Sequence, residues 1–151
     1  MKTRLALAQL PTWLGLEVAI SDWVDISQER INQFAEATGD HQWIHVDAER
    51  AKKESPFGTT IAHGFLTLSL LPEMGASAFQ VLDTRMGVNY GLGKVRFPAP
   101  VPSGSRLRGH FKLTKYEPLE GGAQLTVEVS MEREGSDKPV CVAESLSRRY
   151  V

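Results

Sequence analysis

The spacing of apolar residues along the chain changes once, near residue 85. Before that point it is helical. Ile31, Phe34, Ala35 and Thr38 share one helix face, Ser27 offers a hydroxyl cap, Glu29 an acid in the first turn, and Gly39 the stop. Asp47-Ala48-Glu49-Arg50 opens a second, shorter helix that should end before Pro56. Residues 64–80 hold Phe65, Leu66, Leu68, Leu70, Leu71, Met74 and Phe79 with almost no polar face, which predicts a third, buried helix. Pro72 should kink it or end its first part, because proline removes a hydrogen bond to the preceding turn.

Beyond residue 85 the period is two. Leu107, Gly109, Phe111 and Leu113 alternate with Arg106, Arg108, His110 and Lys112, and Ala123, Leu125, Val127, Val129 and Met131 alternate with polar residues. Both segments read as half-buried antiparallel strands joined at Gly121-Gly122, and residues 16–24, 86–97 and 140–150 read as further strands. A buried helix against the apolar face of a curved antiparallel sheet follows, which is an α+β fold.

With 151 residues, 42% of them hydrophobic and 23% charged, the chain has the makings of one globular domain spanning 1–151. The longest mostly apolar run, Ile61 to Leu71, falls well short of the ~20 residues of a membrane span. The apolar stretch Leu5–Ala8 is also shorter than the ~7–15 residues of a signal-peptide core, so a cytoplasmic location is expected. A net charge of −1 argues against nucleic acid as the main partner. The charge is uneven, however. Residues 1–80 carry 6 Lys/Arg against 10 Asp/Glu, and residues 81–151 carry 11 against 8. The basic excess, with Lys94, Arg96 and Arg106 as candidates, suits either a solvated sheet face or the phosphates of a ligand. Cys141, the lone cysteine, lies in Val-Cys-Val-Ala and reads as a small buried hydrophobe.

Chemistry concentrates in two segments. Ala37-Thr38-Gly39-Asp40-His41-Gln42-Trp43-Ile44-His45-Val46-Asp47 brings two carboxylates, two imidazoles and an indole into the connection between two helices. A turn there would bring Asp40 and His45 onto one water, although the spacing alone favours a turn aspartate and a partly buried loop histidine. Gly58-Thr59-Thr60-Ile61-Ala62-His63-Gly64-Phe65 runs into the buried helix. There Gly64 either admits a ligand to the backbone N–H or serves packing. The Gly91-Leu92-Gly93 run lacks the third glycine of a nucleotide fingerprint, and His41, His45, His63 and His110 lack zinc-site spacing, so no metal or cofactor is expected.

Taken together, the segments resemble a known family. Ala37-Thr38-Gly39-Asp40, then Ile44-His45 and Ala51, is similar to the hydratase-2 signature of MaoC-like (R)-specific enoyl-CoA hydratases. Pro56 to Leu66 resembles the start of that family's central helix, and Lys94 to Val101 the strand that follows it. The run Gly-Asp-His-Gln-Trp-Ile-His resembles the nodulation-protein-N-like branch. The resemblance implies a hotdog fold, a long central helix wrapped by an antiparallel sheet, and a homodimer acting on acyl-CoA. It implies that Asp40 and His45 hold a water and share the acid and base roles while the Gly64 N–H polarises the thioester carbonyl. Gln42-Trp43 stands where the family usually has Asn-Pro. Gln42 is then expected to orient the loop or the thioester, Trp43 to wall the acyl site, and His63 to bond the loop backbone. Two other uses of the same fold are an acyl-CoA thioesterase and a non-catalytic acyl-CoA-binding protein.

Overall fold

The structure is a computed structural model and describes residues 2–151. Its framework is an antiparallel sheet of long strands: β5 (Met86–Arg96), β6 (Ser105–Leu119), β7 (Gly122–Arg133) and β8 (Cys141–Tyr150), ordered β6-β7-β8-β5. Two short strands, β2 (Glu17–Ile20) and β3 (Val24–Ile26), both pair with β6 and together account for the expected strand over 16–24. The β6–β7 hairpin turns at Gly121, whose φ of 77° is left-handed and favours glycine. A further strand pair was not foreseen: β1 (Thr3–Leu5) runs parallel to β4 (Phe79–Val81).

Among the described residues there are five α-helices, of which the last two pack on the sheet. Helix α1 (Gln28–Thr38) starts where Ser27 accepts from the Arg30 N–H and stops at Gly39, φ 81°. A single turn, α2 (Trp43–Val46), precedes α3 (Ala48–Glu54), which Asp47 caps by accepting from the Arg50 N–H. The expected helix over 64–80 is present in two pieces, α4 (Gly64–Ser69) and α5 (Leu71–Ala78), broken at Leu70 with Pro72 in the first turn of the second. It is also less buried than its composition suggests: Leu66, Leu70, Met74 and Ala78 face the core, while Phe65 is 71% exposed. Residue 79 onward is strand, because the chain leaves the helix to pair with β1.

The core lies between this helix pair and the sheet. Ile26, Ile31, Met74, Leu107, Leu113, Leu125 and Met131 are fully buried there, each such side chain contributing about 1.5–3 kcal/mol. Cys141 is buried opposite Met131, and burial pushes its thiol up to about 11, so it is a packing residue. The sheet's edge is different. Nearly every residue of β5 is exposed, including Met86, Val88, Tyr90 and Leu92.

Candidate active site

Gly39 reverses the chain at the end of α1, and the Asp40 carboxylate then accepts from the Gln42 N–H at 3.3 Å. The Gln42 carbonyl accepts from the His45 N–H at 3.0 Å, which winds α2 and swings His45 inward. His45 is buried while Asp40 stays exposed at the mouth. The segment before α4 completes the site. The Ile61 N–H donates to the Ile44 carbonyl at 3.0 Å, and His45 Nδ1 lies 2.7 Å from the Ile61 carbonyl oxygen. A carbonyl only accepts, so Nδ1 carries the proton and Nε2 presents a lone pair. Burial, the dominant influence, lowers the pKa of His45 from 6.5; His63 adds to this, while the Ile61 hydrogen bond and Asp40 oppose it.

His63 holds the loop from below. Its Nε2 lies 3.0 Å from the Asp40 carbonyl oxygen, and its ring stacks on His45 with centroids 3.9 Å apart. Phe34 of α1 tilts against the same ring at 4.8 Å. One carboxylate oxygen of Asp40, one ring nitrogen of His45 and one of His63 lie within 4.8 Å of one another. As metal ligands these three converge poorly. Stacked imidazoles direct their in-plane lone pairs side by side, and one nitrogen of each ring already faces a carbonyl. The arrangement suits a water held between Asp40 and His45.

The remaining expected residues are scattered. Gly64 opens α4, so its N–H has no acceptor within the helix, and a Cβ there would meet the Phe97 ring at 3.2 Å. A cleft of about 360 Å³ walled by Phe57, Ile61, Phe97 and Val101 opens onto Gly64 and Thr67. Trp43 is half-buried under the Arg50 guanidinium, 4.3 Å from its ring centre, and Gln42 is exposed. Lys94 and Arg96 are exposed at the end of β5, next to Phe97. Arg106 is not with them. It sits on β6 and is ion-paired to Asp25 at 3.3 Å and Glu134 at 2.8 Å.

The sequence reading missed Gln28. Its amide nitrogen donates to the His45 carbonyl at 2.8 Å, and its amide oxygen accepts from the Thr60 hydroxyl. One side chain thereby ties together α1, the His45 turn and the strand-like segment before α4. Its only sequence signal was a polar residue directly after the Ser27 cap, where polar residues are ordinary.

Comparison with known proteins identifies the family. The model of the MaoC like domain matches residues 11–135. The chain is 55% identical over 149 residues to the 3-hydroxyacyl-thioester dehydratase Z of Mycobacterium tuberculosis, covering 98% of each. It is 49% identical to the Nodulation protein N of Rhizobium leguminosarum bv. viciae, covering 92% of this chain and 88% of that one. Among solved structures, an unliganded R-hydratase of Pseudomonas aeruginosa superposes with a TM-score of 0.71 at 21% identity, covering 91% of this chain and 81% of that one. The last likeness establishes the hotdog fold. The chain belongs to the MaoC-like family, on the side of the nodulation-protein-N relatives, and is a hydro-lyase of the hydratase/dehydratase type.

Proposed function

We propose that the protein adds water to trans-2-enoyl-CoA to give (3R)-hydroxyacyl-CoA, and runs the reverse dehydration. The observation that carries this reading is the state of His45: buried, pinned through Nδ1 so that Nε2 keeps a free lone pair, with a ring nitrogen within 4.8 Å of an Asp40 carboxylate oxygen. The thioester makes C3 of the enoyl chain electrophilic. Asp40 accepts one hydrogen of a bound water and orients its oxygen toward C3. His45 Nε2 takes the other proton as the C–O bond forms, and charge moves onto the thioester oxygen, where the Gly64 N–H receives it. His45 then gives its proton to C2, so the water is consumed whole and both side chains return to their first state. These steps use only protein groups and the thioester itself.

In this reading Lys94 and Arg96 hold the phosphates of CoA, which their exposure at the strand end beside Phe97 and Gly64 supports. Arg106 is assigned no such role, because Asp25 and Glu134 already occupy it. A homodimer formed along β5 is part of the same proposal, since an exposed edge strand of this length with apolar residues invites pairing. Sedimentation should report a dimer, and a monomer would remove it.

The test of the activity is loss of enoyl absorbance with crotonyl-CoA and longer enoyl-CoAs, followed by chiral analysis of the product. Release of free CoA thiol without hydration would replace the hydratase by a thioesterase. Binding without turnover would replace it by an acyl-CoA-binding protein.

A further inference from the structure

The inner face of β8 changes character midway. Cys141 and Ala143 are buried apolar residues against the helices, as a sheet face should present. Ser145, Ser147 and Arg149 continue the same alternation toward the end of the strand, and all three line a cleft of about 330 Å³ beneath α5. Leu71, Phe79, Phe111 and Val127 supply apolar walls, and Asn89 of β5 adds an amide. Arg149 is half-buried, its Nε is inaccessible to solvent and has no hydrogen-bond partner, and among the described residues no carboxylate pairs with it. The guanidinium lies across Gly87 of β5, where even a Cβ would come within 2.6 Å of Nη1, so the absence of a side chain there gives it room. Burial lowers the pKa of Arg149, yet a guanidinium keeps its charge at neutral pH. An unpaired cation in an apolar cleft is costly unless something negative comes to it.

The cleft lies along the helix pair that begins at Gly64. From Gly64 the helix pair advances roughly 10 Å to Leu71 at the near rim and roughly 18 Å to Ala76, which lines the cleft with Arg149, a span that suits a long acyl chain whose thioester sits at Gly64. We propose that this cleft receives the far end of the acyl chain and that Arg149, with the Ser145 and Ser147 hydroxyls, selects chains ending in a carboxylate. The substrate class is then the CoA thioester of a dicarboxylic 3-hydroxy or trans-2-enoic acid. A single guanidinium flanked by two hydroxyls fits one carboxylate, and the apolar walls fit the methylenes leading to it. The inference rests on the hydratase reading of Asp40 and His45.

The experiment compares trans-2-hexadecenoyl-CoA with its ω-carboxy analogue in the intact chain. The wild type should favour the carboxy substrate in kcat/KM by about tenfold or more, and Arg149→Met should abolish or invert that ratio. The same pair presented as N-acetylcysteamine thioesters carries no phosphate, and the preference should persist there. A ratio that is equal in wild type and variant, or a preference that vanishes without the CoA phosphates, overturns the proposal. Competition on the wild type alone guards against a variant that fails to fold: hexadecanedioate should inhibit crotonyl-CoA hydration more strongly than hexadecanoate, and equal inhibition again overturns it. Failure to hydrate either enoyl substrate or crotonyl-CoA counts against the hydratase reading itself. Binding of the two saturated CoA thioesters, measured by calorimetry, then decides Arg149 separately.

Discussion

His45 and His110 both lie beside carboxylates, one in the helical layer and the other on the solvent face of the sheet. His110 has each ring nitrogen against an acid: Nε2 is 2.7 Å from Glu132 and Nδ1 3.2 Å from Glu17. Arg108 joins the cluster through Glu132 at 2.7 Å, and Arg108 first, then His110, hold the Glu132 carboxyl below its usual range. Both ring nitrogens of His110 and both carboxylate oxygens of Glu132 are engaged with neighbours, so the cluster is a cross-strand ladder on a wet surface and adds little beyond local order. His45 has one nitrogen fixed by a carbonyl and one left over, in a buried setting that keeps the ring neutral. The same residue types yield a strut in one place and, in the proposed mechanism, a proton carrier in the other, and the difference is a single uncommitted lone pair.

Substitutions at the two histidines separate these roles most sharply. Asp40→Asn and His45→Gln should each lower kcat by ~10²-fold or more with smaller changes in KM, and the double variant should be little worse than the poorer single one. Full activity in a well-folded Asp40→Asn protein would end the proposed mechanism. Gly64→Val comes next. It crowds the Phe97 ring and screens the N–H, and losing one oxyanion donor typically costs ~10²–10³ in kcat. Near-normal turnover in a folded variant would take Gly64 out of the site.

Gln28→Leu should act through His45 without touching substrate. It leaves the His45 carbonyl and the Thr60 hydroxyl without their partner, a loss of about 1–3 kcal/mol in a thermal melt. It should also lower kcat more than KM; a melt shift with kinetics unchanged would make Gln28 purely structural. The pH response is smaller. Because the folded pKa of His45 is below 6.5, the unfolded chain binds more protons just under that pH. Stability contributed by neutral His45 is therefore complete above 6.5 and lost as the pH falls toward the folded value. The His45→Gln melting curve should be flatter across that range, and an identical slope would mean that burial does not hold the ring neutral. His110→Gln is the smallest change, within about 0.5 kcal/mol and with activity retained.

What could be read from sequence follows from how local each determinant is. Helix α1 was legible at both ends because Ser27 and Gly39 act on their own neighbours, and β6 and β7 because a half-buried strand writes its period into adjacent residues. The break at Leu70 was legible from Pro72. The pairing of β1 with β4 was not, since three residues carry no readable period and their partners are far along the chain. Asp40, His45 and Gly64 came from the family motif, while the bond that sets the His45 tautomer belongs to the Ile61 backbone, which every residue type offers alike. Arg149 was invisible for a related reason. Alternation alone places it on a face, and only the neighbouring strands reveal that this face is roofed by α5.

In the proposed homodimer the bare edge of β5 would tie catalysis to protein concentration. Phe97, at the end of that strand, rests against Gly64, so whatever covers the edge also steadies one wall of the site. With a second copy of the chain as the covering partner, association stabilises each protomer by mass action, as any ligand would. Specific activity should then fall on dilution. The thioester, bound against the same wall, should restore it, because two binding events that favour one conformation strengthen each other by the same factor.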